Sequence, residues 1–292
     1  IILDEKRDLT RELLACGAGI HDINTVRKHL SDIKGGRLAA AAFPARTVTL
    51  ALSDVPGNDP ATIASGPTVG DATSRKDALE ILSAYGIKPP PSIKAKLASP
   101  TAESPFPSDL KLTASEIVIT ATAAEALDVA VTFAEEQGLG VVNLGDEVEG
   151  IASVLAGEHA RAFECERLAH STGKGFVLIS GGEATVALHG DGKGGANQEY
   201  LLALAIELDG RPNVFALAAD TDGIDGASEA AGAFITPSTL TRAAAQGLDP
   251  QAHLTRNDAG GFFERLGDLI ITGPTCTNVN DFRAIAYIPS RD

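Results

Sequence analysis

The sequence predicts an α/β protein of two domains, the first with a mostly parallel sheet covered on both faces and the second with a mixed sheet. Three observations predict it. Short β-branched and apolar runs alternate with amphipathic helical stretches along the whole chain. Loops dense in Gly, Pro, Ser and Asp follow the strands, where open parallel sheets carry their ligand sites. A Gly181-Gly182 turn between two apolar runs of the second half predicts an antiparallel hairpin there.

Each element has a local reason. Residues 4–16 set Leu9, Leu13 and Leu14 among charges, an amphipathic helix that Gly17 and Gly19 end. Asn24 or Thr25 caps a basic helix, VRKHLSDIKGGRLA, interrupted at Gly35 and Gly36. Thr47–Leu52 is a buried strand leading into SDVPGNDPATIASGPT. Arg75–Tyr85 is a helix closed by Gly86. Pro89, Pro90, Pro91, Pro100, Pro105 and Pro107 predict that residues 88–115 form a surface excursion, not a core element. Then follow strand Ile117–Ala121, helix Ala123–Gln137, strand Val141–Leu144 and helix Ile151–His170.

The polar stretch Ser171–Gly175 marks the predicted domain boundary, giving domains 1–173 and 174–292. Beyond it, Phe176–Ser180 and Thr185–His189 form the predicted hairpin, and a Gly-rich loop, GDGKGGANQ, follows. Helix Glu199–Leu208, strand Val214–Ala219, the acidic turn DTDGIDG, helices near Pro237–Gln246 and Gly261–Leu266, and a strand near Asp268–Thr272 complete the pattern.

Composition narrows the function classes. The 292 residues carry 24 Lys and Arg against 39 Asp and Glu, a net charge of −15. Such a chain is a poor non-specific partner for nucleic acid or anionic lipid. No apolar run reaches the roughly 18 residues of a membrane span. Cys16, Cys165 and Cys276 are far apart and show no metal-ligand spacing, which predicts a reducing, cytoplasmic setting. The chain contains no Met. For a domain-sized core this is unexpected, and it predicts residues upstream of Ile1 and methionines missing from within.

Five segments carry candidate chemistry. Arg27, Lys28, His29, Lys34 and Arg37 form a basic cluster suited to a carboxylate or phosphate, or simply a solvated helix face. In the loop after the first strand, Asp54 and Asp59 offer carboxylates to a divalent cation, and Ser65 and Gly66 offer donors to an anion. Ser180, Gly181, Gly182 and Glu183, with Lys193, Gly194, Gly195 and Asn197, could form an anion-binding nest beside a helix start, or be plain turns. Asp220, Asp222 and Asp225 crowd the end of an apolar strand, where a cation held by one or two of them would relieve their repulsion. In TGPTCTNVNDFR, Thr277, Asn278, Asn280 and Arg283 could line a polar pocket. Gly190, Gly192 and Gly195 also fit G-x-G-x-x-G, so a dehydrogenase enters consideration, although the preceding TVALH is not a buried apolar run.

The strings NTVRKHLSDIKGGRLA, LSDVPGNDPATIASGPT, SGGEATV, GKGGANQEYLLALA, AADTDGIDG and TGPTCTNVNDFR together resemble the glycerate 2-kinase family, long described as hydroxypyruvate reductases of tartrate catabolism. The resemblance implies a Rossmann-like first domain, a MOFRL-type second domain, and ATP- and Mg²⁺-dependent phosphorylation of D-glycerate at the 2-hydroxyl in a cleft between them. It implies Arg27, Lys28 and Asp220 as catalytic residues. Ser65, Gly66, Thr277, Asn278 and Asn280 would face the substrate, the two Gly-rich loops the nucleotide, and Asp54, Asp220 and Asp222 the metal. The alternative is NAD(P)H-dependent reduction of hydroxypyruvate. The expected partner is a small hydroxy acid, and a homodimer is left open. The resemblance departs at Ala196, where many members carry Arg, and in the Gly-Lys and SGGGS-like segments expected upstream.

Overall fold

The computed structural model of the chain describes residues 1–169 and 174–290. Two compact units divide it, Ile1–Thr120 and Ala121–Asp292. The predicted boundary at Ser171–Gly175, and the predicted helix end at His170, lie largely outside the described residues. Residues 121–169, expected in the first domain, belong to the second unit.

The first unit contains α1 (Leu3–Ala15), α2 (Ile20–His29), α3 (Arg37–Ala42), β1 (Thr47–Ser53), α4 (Arg75–Ala84), α5 (Pro91–Ala98) and β2 (Ser115–Thr122). Its described sheet is the pair β1–β2. Leu9 and Leu13 of α1, Ile23, Val26 and Leu30 at α2, Ala78 and Leu82 of α4, and Ile93 and Leu97 of α5 close one apolar core.

Three expectations are corrected here. β1 is not a buried strand: in its two-stranded sheet Val48, Leu50 and Leu52 are exposed. Helix α2 starts after Gly19, and Asn24 and Thr25 lie buried inside it, because the apolar face Ile23–Val26–Leu30 begins a turn earlier. Residues 88–115 are not only a surface excursion. Pro91 opens α5 at a position that needs no N–H donor, and Ile93 and Leu97, four apart, are fully buried.

The second unit runs α6 (Ala123–Glu136), β3 (Gly140–Asn143), β4 (Gly150–Ile151), α7 (Ala152–Ala169), β5 (Phe176–Gly182), β6 (Ala184–Thr185), α8 (Ala196–Leu208), β7 (Val214–Asp220), β8 (Gly232–Ile235), α9 (Thr239–Ala245), α10 (Pro250–Thr255), α11 (Ala259–Leu266), β9 (Leu269–Ile270) and β10 (Asp281–Tyr287). Its mixed sheet has the order β3-β5-β10-β7-β8-β9, parallel at β3–β5 and antiparallel at the other pairs. Both halves are therefore α/β. Apolar faces of α7 and α8 cover the sheet through Leu155, Phe163, Tyr200, Leu201 and Leu204.

The predicted hairpin does not form. β6 leaves the sheet and pairs with β4 instead. Gly182, at φ +107, packs against the Val148 backbone so closely that a Cβ would lie 2.3 Å from the Val148 carbonyl oxygen. The place beside β5 goes to β10, a strand the sequence reading missed. Among the described residues, no helix is long and apolar enough to cross a membrane.

Candidate active site

In the second unit, the strand ladders align three residues in one row. Gly182 of β5 faces Asp281 of β10, and Asp281 faces Asp220 of β7. Asp281 is buried and accepts hydrogen bonds from the Ala184 N–H (2.9 Å), the Asn197 amide (2.5 Å) and the Arg283 guanidinium (2.5 Å). Arg283 is only 1% exposed, donates to the Gly181 carbonyl and lies over the Tyr200 ring. Alternation puts Asp281, Arg283 and Ile285 on one inward face of β10.

Next to this row, Asp222 N–H donates to the Asp220 carboxylate at 2.9 Å, and the Asp222 carboxylate accepts from Ile224 N–H. The acidic turn is bound to the segment before β10. Thr275 donates its N–H to the Asp222 carbonyl and its hydroxyl to the Thr221 carbonyl. Thr221 donates through N–H and hydroxyl to the Asn280 carbonyl. Asn278 accepts from Asn280 N–H, which fixes Asn280 at φ +66. Thr277 is exposed and bonded to Thr275. The structure thus brings Asp220, Asp222, Asn278 and Asn280 into one loop pair.

The glycine-rich segments have another explanation than an anion nest. Ser180, Gly181 and Gly182 are interior strand residues, and Ser180 is fully buried. Gly190 and Gly192 lie against Arg256 and Asp258, where a Cβ would come within 2.3 and 2.5 Å of those residues. Gly195 abuts Asp225 in the same way. The start of α8, expected to face a phosphate, is capped from within: the Asp225 carboxylate accepts N–H groups of Asn197 (3.1 Å) and Gln198 (2.8 Å). Lys193 is exposed and held by its backbone to Asp258 and Gly260.

A cavity of about 450 Å³ opens here, lined by Glu183, Gly194, Glu199, Asp220, Asp225 and Asp281 among others. Its walls are acidic. Burial first, and then repulsion from Asp222 and Asp281, push Asp220 up to about 6, against the pull of the Asp222 N–H. Burial also pushes Asp225 up to about 6, against its bonds from Gln198 and Asn197. Glu199 is raised by burial and partly lowered by its bond from Asn257. Among the described residues, no group of three His, Cys, Asp or Glu is arranged to hold a metal. The Asp220–Asp222 pair is an oxygen donor set of the kind a hard divalent cation takes.

In the first unit, the basic cluster separates into two groups. Lys28 is buried 3.5 Å from Asp71, and His29 is buried with its Nδ1 on the Thr25 carbonyl. Arg37 donates to the Thr101 and Ala102 carbonyls. These three brace the fold. Arg27 and Lys34 instead line a cavity of about 600 Å³, with Arg27 bonded to Asn24. Beside it, Ala64, Ser65 and Gly66 are successive left-handed residues at φ +51, +61 and +58. Their carbonyls accept from the Lys34 ammonium, Gly35 N–H and Gly36 N–H in turn. Ser65 and Gly66 use their own N–H groups on Thr62 and Ile63, and the Ser65 hydroxyl donates to Asn24. Neither backbone group is therefore an open anion donor. Asp54 is exposed just beyond β1.

Sequence reasoning missed Asn257 and Asp281 as members of the site, and it placed Asp225 and Arg283 in candidate segments without finding the cap and the ion pair they form. Two signals were present. ANQEY begins an otherwise apolar helix with consecutive polar residues, all three of which are buried. DFRAIAY alternates charged and apolar residues with strand period on one face.

Residues 1–98 match the family model described as Domain of unknown function (DUF4147), and residues 176–281 match the MOFRL family. A protein of Agrobacterium vitis provisionally named hydroxypyruvate reductase is 47% identical over 97% of this chain and 64% of its own length. D-glycerate 2-kinase of Thermotoga maritima is 39% identical over 96% of this chain and 66% of its own length. The chain thus spans about two thirds of the length of these relatives. The crystal structure of glycerate kinase from Thermotoga maritima superposes with a TM-score of 0.87 at 37% identity, over 99% of this chain and 68% of that one. With this likeness in sequence and fold, and a domain match in each half, the chain belongs to the glycerate kinase family built from DUF4147 and MOFRL domains.

Proposed function

We propose that this chain carries the machinery for phosphorylating D-glycerate at its 2-hydroxyl with ATP and Mg²⁺, yielding 2-phosphoglycerate and ADP. The observation that carries the reading is the fold shared with a glycerate kinase across 99% of the chain. The acidic row supports it. Phosphoryl transfer needs positioning and neutralisation of charge more than covalent help from the protein. Asp220 and Asp222 are the residues that would hold Mg²⁺, which supplies charge neutralisation at the nucleotide phosphates. Asn278 and Asn280 hold the acidic turn in place, and Arg27 is the cation suited to the glycerate carboxylate. The 2-hydroxyl oxygen bonds to the γ-phosphorus as the bond to the ADP oxygen breaks, and the hydroxyl proton leaves to a base or to water. The exposed, unpaired Cys16, Cys165 and Cys276 support a cytoplasmic setting.

The reductase alternative meets two obstacles. A dinucleotide fingerprint needs an open helix N-terminus for the pyrophosphate, and Asp225 occupies this one. The glycines of the fingerprint are also required by packing, Gly190 and Gly192 on Arg256 and Asp258 and Gly195 on Asp225. ADP release with D-glycerate and MgATP, set beside NADH oxidation with hydroxypyruvate, tests the choice. Glycerate-dependent ADP release is expected. NADH oxidation without ADP release overturns the kinase reading.

A further inference from the structure

Residues 186–195, of which Val186, Leu188, Gly192, Gly194 and Gly195 line the acidic cavity, have no regular secondary structure, so their shape must come from elsewhere. It comes from Asn257. The Asn257 carbonyl oxygen accepts N–H groups of His189 (2.7 Å) and Gly190 (2.9 Å). Its amide nitrogen donates to the Ala187 carbonyl (3.1 Å) and the Glu199 carboxylate (2.8 Å). Two acceptor positions and two donors exhaust what an Asn side chain offers. The backbone of Asn257 is left-handed, at φ +54, a conformation Asn tolerates better than most residues.

Its neighbours continue the template. The Arg256 carbonyl accepts Gly192 N–H, the Asp258 carboxylate accepts Lys193 N–H, and Gly260 N–H donates to the Lys193 carbonyl. His253 holds the other Asp258 oxygen at 2.9 Å. The loop is thus laid residue by residue on 256–260. Through Glu199 the same amide joins the loop to the first turn of α8. Glu199 and Asn257 both line the cavity.

We propose that Asn257 is a positioning residue, one that holds the 186–195 loop in the shape that receives the nucleotide. This rests on the kinase reading above. Asn257 acts through the loop and makes no phosphate contact of its own. Replacing it should therefore weaken nucleotide recognition and leave glycerate recognition in place.

The test uses the full chain and two variants. Asn257→Gly removes the amide while keeping a residue at ease at positive φ, so backbone strain does not confuse the result. Asn257→Asp keeps the shape and both acceptors but loses both donors beside Glu199. Amide exchange of residues 186–195, with and without MgATP, is measured alongside steady-state kinetics. In Asn257→Gly, loop exchange should rise and KM for ATP should increase about tenfold or more, with KM for D-glycerate within about twofold, as expected for loss of bonds that shape one subsite only. Asn257→Asp should show the same pattern in weaker form.

Unchanged loop exchange in Asn257→Gly overturns the clamp. Raised exchange with an unchanged KM for ATP and unchanged MgATP protection leaves Asn257 a purely structural residue and overturns the positioning role. A wild-type chain that releases no ADP, and whose loop MgATP does not protect, overturns the kinase reading itself and this proposal with it.

Discussion

Asp281 lies directly opposite Asp220 across the β10–β7 ladder, and only one of the two has a buried cation of its own. Asp281 is bonded to Arg283, whereas Asp220 has a backbone N–H and two neighbouring carboxylates. That asymmetry separates a residue that holds the sheet from one that still needs a counter-charge.

Asp220 makes stability depend on pH. Burial and its acidic neighbours raise it to about 6 from an ordinary 3.8. The folded chain then holds this proton more tightly than the unfolded chain does. Its contribution favours the fold at low pH and is lost as the pH rises from about 4 through about 6. Asp220→Asn should raise the melting temperature at pH 7.5 and lose that advantage at pH 4. Melting curves at the two pH values check this, and an equal shift at both would contradict it.

Arg283 should be the opposite case. Arg283→Met strands a buried Asp281 carboxylate, which costs about 3–5 kcal/mol by comparison with other broken buried pairs. Adding Asp281→Asn removes the stranded charge and should recover part of the loss. Urea unfolding of the single and double variants measures it. Additive losses would show that the two residues are not coupled.

Arg27 and Lys28 adjoin in sequence and should differ in effect. Lys28→Met leaves Asp71, 1% exposed, without its ammonium partner and should cost about 3 kcal/mol in stability. Arg27→Ala should change stability by about 0.5 kcal/mol or less. It should raise KM for D-glycerate about tenfold or more, since a bond to a charged group contributes about 1.5–3 kcal/mol. Equal losses in melting temperature would assign Arg27 to the frame as well.

Ala64 sits in a conformation that costs a non-glycine residue about 1 kcal/mol. Ala64→Gly should therefore raise the melting temperature by roughly 2–4 °C. Gly66→Ala should lower it, because a Cβ there would meet the Ala61 carbonyl at 3.0 Å. Thermal melts of both variants decide whether the strain is real.

The sequence made the α/β alternation legible because the strands at Thr47, Phe176 and Val214 are apolar runs between amphipathic helices. It made the acidic turn visible as carboxylates crowded at the end of an apolar strand, but not that Asp225 among them caps α8. It hid β10, since Asp281 and Arg283 look like pocket residues until their partners across the sheet are known. It left the glycines ambiguous. A glycine that admits a phosphate and one that admits a neighbouring backbone are the same letter, and only the 256–260 segment, some 65 residues away, separates them. The cap on α8 was hidden for the same reason, since Asp225 lies 28 residues from Asn197.

With Asp225 closing the amino end of α8, the cavity offers a polyphosphate carboxylates on its walls and no helix dipole in welcome. Bare ATP arriving there meets like charge. On the kinase reading proposed above, the nucleotide should enter only when escorted, so turnover should track the concentration of the magnesium complex, and surplus unchelated ATP should compete poorly for the pocket.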